Sequence, residues 1–214
     1  MAEILNVTAL ELKSLSEDSI KKLGIKLKID LPEIEPLSSL SFQEPKDIAR
    51  RMMVLSYIVP ISFNVKRKLL KESLKAFDLQ QFLSPKERRL FSKWFLSNQD
   101  KINASWVTES IEVLGWSIGL WNKIDPLKRC DEDKQAQALP VKRDPSEFIN
   151  SAKLIDKVEL YKEADLIYRL HWVSKRKKIG QLNDHSEGVY SERHKAINWI
   201  INKGTSWDDV SIDT

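Results

Sequence analysis

The sequence contains little of what disulfide-bonded or turn-rich folds require. Among 214 residues there is one cysteine, Cys130, so no internal disulfide can form and a reducing compartment is indicated. Six glycines and eight prolines are few for the many tight turns of a β-rich fold. The composition therefore favours long helices.

Long hydrophobic runs are also missing. The least polar stretch, residues 113–121, is far shorter than the run of about 20 apolar residues that spans a bilayer. The first residues lack the basic segment followed by an apolar one that marks a secretory signal. We therefore expect a cytoplasmic protein that has no membrane partner.

The residues that are present describe an ordinary globular chain. Hydrophobic residues make up 42% and charged residues 31%, and the length is sufficient to bury a sizeable core. Apolar residues recur at helical spacing, and no segment alternates as a strand would. We predict an all-α fold, a single helical domain of about six to eight helices over residues 46–214. An N-terminal arm, residues 1–45, should carry a short helix that starts near Ser16–Ser19 and an extended, proline-containing segment.

Capping signals and apolar spacing divide this domain. Ser84 and Glu87 flank Pro85 as a capping box, and the helix that they start should bury an apolar face. That face consists of Leu90, Phe91, Trp94 and Phe95. Residues 104–121 are nearly all apolar after Glu112, which indicates the central, enclosed helix.

The later segments are predicted in the same way. Residues 123–143 are polar and contain two prolines, as expected of a long loop. A capping box at residues 144–147 opens a helical stretch to about residue 178, too long for one helix, so we predict a break near residues 157–160. The last helix should cover residues 189–202.

Basic residues cluster on a helix predicted over residues 64–79 and again at residues 175–178. The first group consists of Lys66, Arg67, Lys68, Lys71 and Lys75. Such groups occur in proteins that bind nucleic acids or anionic membranes. Because 31 acidic residues nearly balance 35 basic ones, we favour solvated helix faces and expect no nucleic-acid partner.

Three clusters near the C-terminus place charged or imidazole side chains beside large aromatic ones. They contain Asp165, Tyr168, Arg169, His171 and Trp172, then Glu192, Arg193, His194 and Asn198, and finally Trp207 and Asp208. Two of them lie in predicted core helices, where an unpaired charge is costly. These residues therefore form either a structural network or a site.

The spacing within the clusters suggests partners. Arg193 falls in the apolar stripe of the last helix, so its guanidinium must meet carboxylates or carbonyl oxygens. The candidates are Asp165, Asp208, Asp209 and Asp213. Asp165 and Arg169 have the spacing of an intrahelical ion pair, and His194 and Asn198 lie one turn apart. His171, in apolar company, is predicted to be a hydrogen-bonded core histidine.

Two interpretations follow from these pairings. In the structural one, Arg193 clamps the C-terminal tail and Trp207 fills the gap between helices. In the catalytic alternative, a hydrolase or transferase uses Arg169, Glu192, Arg193 and His194 around a cleft that binds a phosphate or carboxylate group.

A metal site on Cys130, Asp131, Glu132 and Asp133 would need His171, His185 or His194 to complete it. No second cysteine stands at ligand spacing, so we expect neither a metal nor a cofactor. Cys130 as a catalytic nucleophile is equally disfavoured.

The chain also lacks complete catalytic motifs, since it has no glycine-rich phosphate loop and no nucleophile-elbow serine. We therefore favour an interaction module that binds a protein partner, with C-terminal clusters that are mainly structural. Trp94, Trp116 and Trp199 fit helix-packing positions. Several tryptophans exposed together would instead mark a partner surface.

Short motifs are spread over most of the chain. They occupy residues 24–25, 31–35, 47–51, 54–55, 83–87, 113–119 and 130–131, the three C-terminal clusters, and residues 213–214. In these motifs the chain resembles a bacterial family known as domain of unknown function 4272. The resemblance implies a self-contained helical domain, and it implies no activity, cofactor or partner.

Overall fold

The computed structural model describes residues 7–26, 30–176 and 186–213. Within these ranges there are nine α-helices and no β-sheet, which confirms the all-α prediction. The helices are α1 (Ala9–Lys22), α2 (Pro45–Ser56), α3 (Arg67–Ala76), α4 (Pro85–Ser92), α5 (Asn98–Ser117), α6 (Glu132–Ala138), α7 (Ser146–Ser151), α8 (Lys157–Lys175) and α9 (Ser186–Ile201). No helix in the described parts of the chain is both long and apolar enough to cross a membrane.

Helix α5 is the centre of the fold. A capping box at Ser97 and Asp100 starts it, and every residue from Thr108 to Ser117 is buried. It packs against α2 on one side and α9 on the other, α9 packs against α8, and α8 packs against α1. The enclosed central helix that the apolar composition predicts is therefore confirmed.

The N-terminal arm attaches to this row of helices through its own apolar residues. Helix α1 begins after a capping box of Thr8 and Glu11, earlier than the predicted start at Ser16, because Ser16 lies on the buried face in mid-helix. It ends before Gly24, whose φ of +79° suits a helix end. A second core cluster then joins arm and domain. It consists of Ile20, Ile25, Leu31, Leu170, Trp172, Val173 and Tyr190.

The arm also donates hydrogen bonds to the carbonyl groups at the C-terminal end of α9. The backbone N–H groups of Ser41 and Gln43 donate to the carbonyls of Ile201 (3.2 Å) and Ile200 (2.8 Å). The Gln43 side chain donates to the Trp199 carbonyl at 3.1 Å. Since the last carbonyls of a helix have no partner within the helix, these bonds fix where the last turn of α9 lies.

Several predicted boundaries are wrong for local reasons. The predicted loop over 123–143 contains α6, which Asp131 caps by accepting from the Lys134 N–H. The predicted helix over 64–79 is shorter because Asn64 and Asp78 have φ values of +60° and +55°, outside the right-handed helical region. The predicted break falls at residues 152–156, where Asp156 caps α8.

The capping box expected at residues 144–147 does not form. The Asp144 carboxylate instead accepts from both the backbone N–H and the hydroxyl of Ser146, and α7 starts without a side-chain cap. Such a local turn competes with the capping geometry that the same residue types favour.

The prediction that Trp94 and Phe95 are buried is also wrong. Helix α4 ends at Ser92, and Lys93 has an extended ψ of 138°. Trp94 and Phe95 are consequently 87% and 80% exposed, whereas Trp116 and Trp199 are buried as predicted. Apolar spacing continues past residue 92, but the chain leaves the helix there and starts α5 at the Ser97 cap.

Gly115 marks a close contact between α5 and the chain that follows it. A Cβ at this position would lie 2.2 Å from the Trp121 ring and 3.0 Å from the methyl group of Met52.

We expect Gly115→Ala to lower the free energy of unfolding by about 1–3 kcal/mol through overpacking, measured by urea denaturation. Asn103→Ala, at an exposed position of the same helix, is the matched control. Equal stability of the two variants would contradict this packing.

Candidate functional site

Arg193 is the most thoroughly bonded side chain of the C-terminal clusters. Its Nε donates to Oε2 of Glu109 at 2.9 Å, and its Nη2 lies 2.8 Å from the same oxygen. Nη1 donates to the Asp125 carbonyl (2.8 Å) and Nη2 to the Lys128 carbonyl (2.6 Å). Arg193 is 1% exposed and Glu109 is fully buried. Each nitrogen of the guanidinium therefore has an acceptor.

This arrangement confirms that Arg193 meets a carboxylate and carbonyl oxygens, but the four aspartates predicted as its partners are wrong. Arg193 lies on the face of α9 that packs against α5, so Glu109 of α5 reaches it. Arg193 consequently holds the connection after α5, and it does not clamp the tail. A carboxylate in an enclosed helix is the signal that could have identified Glu109.

The Glu109 carboxylate also bonds to Cys130 and raises the pKa of its thiol. Oε1 of Glu109 accepts from the Cys130 backbone N–H at 3.0 Å. Burial and the Glu109 charge raise the pKa of the Cys130 thiol to about 12, so the thiol is protonated at neutral pH and is a poor nucleophile or ligand. Across the described residues no three His, Cys, Asp or Glu side chains are placed to hold a metal ion. His185 lies outside the described residues.

Asp165 and Arg169 form the predicted ion pair within α8. Nε and Nη2 of Arg169 donate to the two carboxylate oxygens of Asp165 at 2.7 and 2.8 Å, and both side chains are fully buried. Arg169 also donates to the Pro32 carbonyl at 3.3 Å, and Glu17 of α1 lies 3.7 Å away. The pair thus holds the arm against α8.

Tyr168 and Trp172, the aromatic residues of the same C-terminal cluster, each pack against a cationic side chain. The Tyr168 ring lies 5.8 Å from the Arg169 guanidinium and 5.9 Å from the His194 ring. Trp172 is 6% exposed in the second core cluster, and the Arg176 guanidinium covers its ring at 4.1 Å. Tyr168 therefore packs between the Arg169 cation and the His194 ring, and Trp172 packs beneath the Arg176 cation.

His171 and His194 form a buried pair that the sequence does not indicate. Their Nδ1 atoms are 2.9 Å apart. Asn198 Nδ2 donates to the Ser211 carbonyl (3.0 Å) and faces His194 Nε2 at 3.1 Å, so Nε2 of His194 accepts and its Nδ1 carries the proton. His194 then donates to His171, whose Nε2–H has no partner among the described residues. The predicted proximity of His194 and Asn198 is confirmed.

Both imidazoles are held neutral. Burial lowers the pKa of His171 to about 4, and Lys175 adds to the effect. Burial, the neighbouring His171 and Lys175 lower the pKa of His194 to about 3. A proton added to Nε2 of His194 would also face the donor amide of Asn198. The chain from Asn198 to His171 is therefore a neutral hydrogen-bonded network at pH 7.

The four residues of the catalytic alternative do not share a cleft. His194 lines a cleft of about 520 Å³ between arm and tail, and neither Arg169 nor Arg193 is in its lining. Glu192 faces α5, where its Oε2 accepts from the Ser110 hydroxyl at 2.7 Å. Arg169 faces the arm and Arg193 the connection after α5. The geometry therefore provides no common substrate position for these groups.

The tail is fixed by the third cluster together with the start of α4. Asp208 accepts from the Ser84 hydroxyl and the Lys86 N–H, both at 2.7 Å. Trp207 is 5% exposed and its ring makes an edge contact with Trp199 at 5.4 Å. The filling of an interhelical gap by Trp207 is therefore consistent with its packing.

A further buried ion pair lies beside Trp207 and was missed by the sequence analysis. Arg51 of α2 donates to both carboxylate oxygens of Glu87 at 2.8 and 2.9 Å, and its guanidinium lies 5.2 Å from the Trp207 ring. The capping box identified Glu87, but its second role depends on how α2 packs beside α4.

Comparison with known proteins identifies a family for this chain. The family model described as Domain of unknown function (DUF4272) matches residues 12–210, nearly the whole chain. The chain belongs to this family. No curated protein and no solved structure gives a significant match.

In this member of the DUF4272 family the most exposed aromatic residues adjoin a basic surface. Trp94 and Phe95 border a groove of about 920 Å³ along α3, which we call the α3 groove. Its other charged or apolar lining residues are Val65, Lys66, Arg67, Lys68, Lys71, Glu72, Lys75, Phe91, Leu96 and Lys101. The basic residues on the predicted helix therefore line a groove, a placement that sequence alone did not distinguish from a plain solvated face.

The neutral histidine pair predicts a pH effect on stability. Between pH 6.5 and the lowered pKa values, about 4 for His171, the unfolded chain binds more protons than the folded one, so stability falls as pH falls. Each histidine contributes a slope of up to about 1.4 kcal/mol per pH unit. Glu163, whose pKa burial raises to about 7, contributes with the opposite sign.

A comparison with His171→Asn isolates the histidine contribution from that of Glu163. Urea unfolding at several pH values between 7.5 and 5 should show a shallower loss of stability on acidification in the variant than in the parent. Parallel stability curves for the two proteins would contradict a neutral, buried His171.

Proposed function

We propose that this protein is a bacterial, cytoplasmic protein-binding module, and that its C-terminal network serves to hold the fold. The observation that carries the proposal is the exposure of Trp94 and Phe95 next to the α3 groove. Two adjacent large aromatic side chains on a surface contribute little to folding, because their apolar area remains in water. Such residues are typical of the centre of protein interfaces.

The segment that carries the two aromatic residues is held in place. Arg67 of α3 donates to the carbonyls of Leu90 (2.9 Å), Phe91 (3.3 Å) and Trp94 (3.3 Å). The Trp94 and Phe95 rings also contact each other edge to face, with centroids 6.1 Å apart. A side chain presented in a fixed position loses less conformational entropy on binding, which favours affinity.

The C-terminal clusters support the other half of the proposal. The charged groups of Arg193 and Arg169 point toward buried carboxylates and backbone carbonyls. Every guanidinium nitrogen of Arg193 has an acceptor, whereas Nη1 of Arg169 has no hydrogen-bond partner among the described residues. Both guanidinium groups are buried, so neither faces the solvent from which a ligand would arrive. The cytoplasmic assignment rests on the single, half-buried and protonated cysteine.

The proposal predicts specific contacts at Phe95 inside cells. A photo-reactive benzoylphenylalanine at this position should cross-link to a discrete protein, because Phe95 would lie at the centre of the interface. The same group at Leu15, which is 52% exposed on α1, is the control. Mass spectrometry identifies the adduct, and calorimetry with the purified partner should show that Trp94→Ala weakens binding by about tenfold or more.

Adduct formation at Phe95 no stronger than at Leu15 would refute a binding surface here. Unchanged affinity of the Trp94→Ala variant for the purified partner would refute it as well. Trp94 makes few contacts with the core, so this variant should keep the parental melting temperature and leave the binding result unambiguous.

A further inference from the structure

We infer that the partner engages the α3 groove through an acidic, amphipathic peptide segment, with carboxylates along one side and aliphatic side chains between them. The inference rests on the protein-binding function proposed above and specifies its ligand.

The groove carries a net positive charge. Its basic lining residues are Lys66, Arg67, Lys68, Lys71, Lys75 and Lys101, and Glu72 is the one acidic residue among the described residues that line it. Nearby cations are already engaged, since Lys93 pairs with Asp100 at 2.7 Å and Arg67 bonds carbonyls. Lys68, Lys71 and Lys75 are exposed, and the ion pairs among the described residues include none of them.

The spacing of these three lysines sets the spacing of complementary carboxylates. Positions 68, 71 and 75 lie on one side of α3, which also carries Glu72, and the buried Leu70 and Leu74 lie on a different side. Seven residues of helix span roughly 10 Å. A partner helix would match them with acidic residues at positions j, j+3 or j+4, and j+7. An extended segment would match them over about three residues.

The edge of the groove adds an apolar requirement. Val65 (38% exposed) lines the groove together with Trp94 and Phe95, and Phe63 (67%) and Leu69 (54%) are further exposed apolar residues nearby in the sequence. A purely acidic chain would leave this surface in water, so the segment that fits must also carry aliphatic or aromatic side chains. Charge then determines its orientation, and the apolar contacts supply most of its affinity.

Two other polyanions are less well matched to this geometry. A bilayer surface would require the apolar face of α3 to enter it, but Leu70 and Leu74 are buried in the core. Single-stranded nucleic acid stacks successive bases on aromatic faces, whereas the Trp94 and Phe95 planes are inclined by 77°. The open α3 groove, about 920 Å³ in volume, can instead accommodate a peptide segment along its length.

The test uses defined peptides and the intact protein. A fluorescein-labelled amphipathic peptide with glutamates at j, j+3 and j+7 and leucines between them should bind in an anisotropy titration. The same peptide with lysines in place of the glutamates should not. Raising the salt concentration from about 0.05 to 0.5 M should lower the affinity for the acidic peptide by about tenfold or more.

Reversing the charge of the three lysines provides the most direct test. The triple variant Lys68→Glu, Lys71→Glu, Lys75→Glu should bind the acidic peptide about tenfold or more weakly than the parent protein does. It should bind the lysine peptide more tightly than the parent protein does. The control has the same charge change elsewhere, as Lys22→Glu, Lys26→Glu and Lys153→Glu, at three other exposed positions. It should bind the acidic peptide like the parent protein.

The outcomes separate this inference from the proposed function. If Phe95 cross-links a protein in cells but no acidic peptide binds, the inference fails and the binding function stands. If both fail, the function fails too. Tighter binding to phosphatidylserine vesicles or to an oligothymidine strand than to the acidic peptide, abolished by the charge-reversed variant, would overturn the inference in favour of that ligand.

Discussion

The contact between Arg193 and Glu109 is the constraint on which the rest of this structure depends. It joins α9 to the central helix α5 and fixes the connection after α5 through the Asp125 and Lys128 carbonyls. A guanidinium in the core without these acceptors would be very unfavourable. Because α8 packs on α9 and α1 on α8, the positions of both depend on this contact.

Two more buried ion pairs repeat the principle at the edges of the fold. Arg169 and Asp165 hold the N-terminal arm through the Pro32 carbonyl, and Arg51 with Glu87 lies beside the tail at Trp207. Each pair joins segments far apart in sequence. Such pairs favour one packing arrangement over others, even where their net contribution to stability is small.

The sequence predicted several elements that depend on local chemistry, although not the starts of α1 and α7, and it missed contacts that depend on packing. The Ser84 capping box, the enclosed α5 and the Asp165–Arg169 pair all follow from neighbouring residues. The partner of Arg193 lies 84 positions away, so the requirement for a carboxylate was predictable but its identity was not. The exposure of Trp94 was missed because apolar spacing continues beyond the point where Lys93 leaves the helix.

A double-mutant cycle on Arg193 and Glu109 tests this account most directly. Arg193→Met and Glu109→Gln should each lower the free energy of unfolding by about 3–5 kcal/mol. Without Arg193, the buried Glu109 keeps only the more distant Arg129 at 3.7 Å, and without the Glu109 charge, Arg193 keeps only backbone carbonyls. The double variant should lose less than the sum, with a coupling of at least about 1 kcal/mol in urea denaturation. Small losses that add without coupling would contradict the central role of this contact.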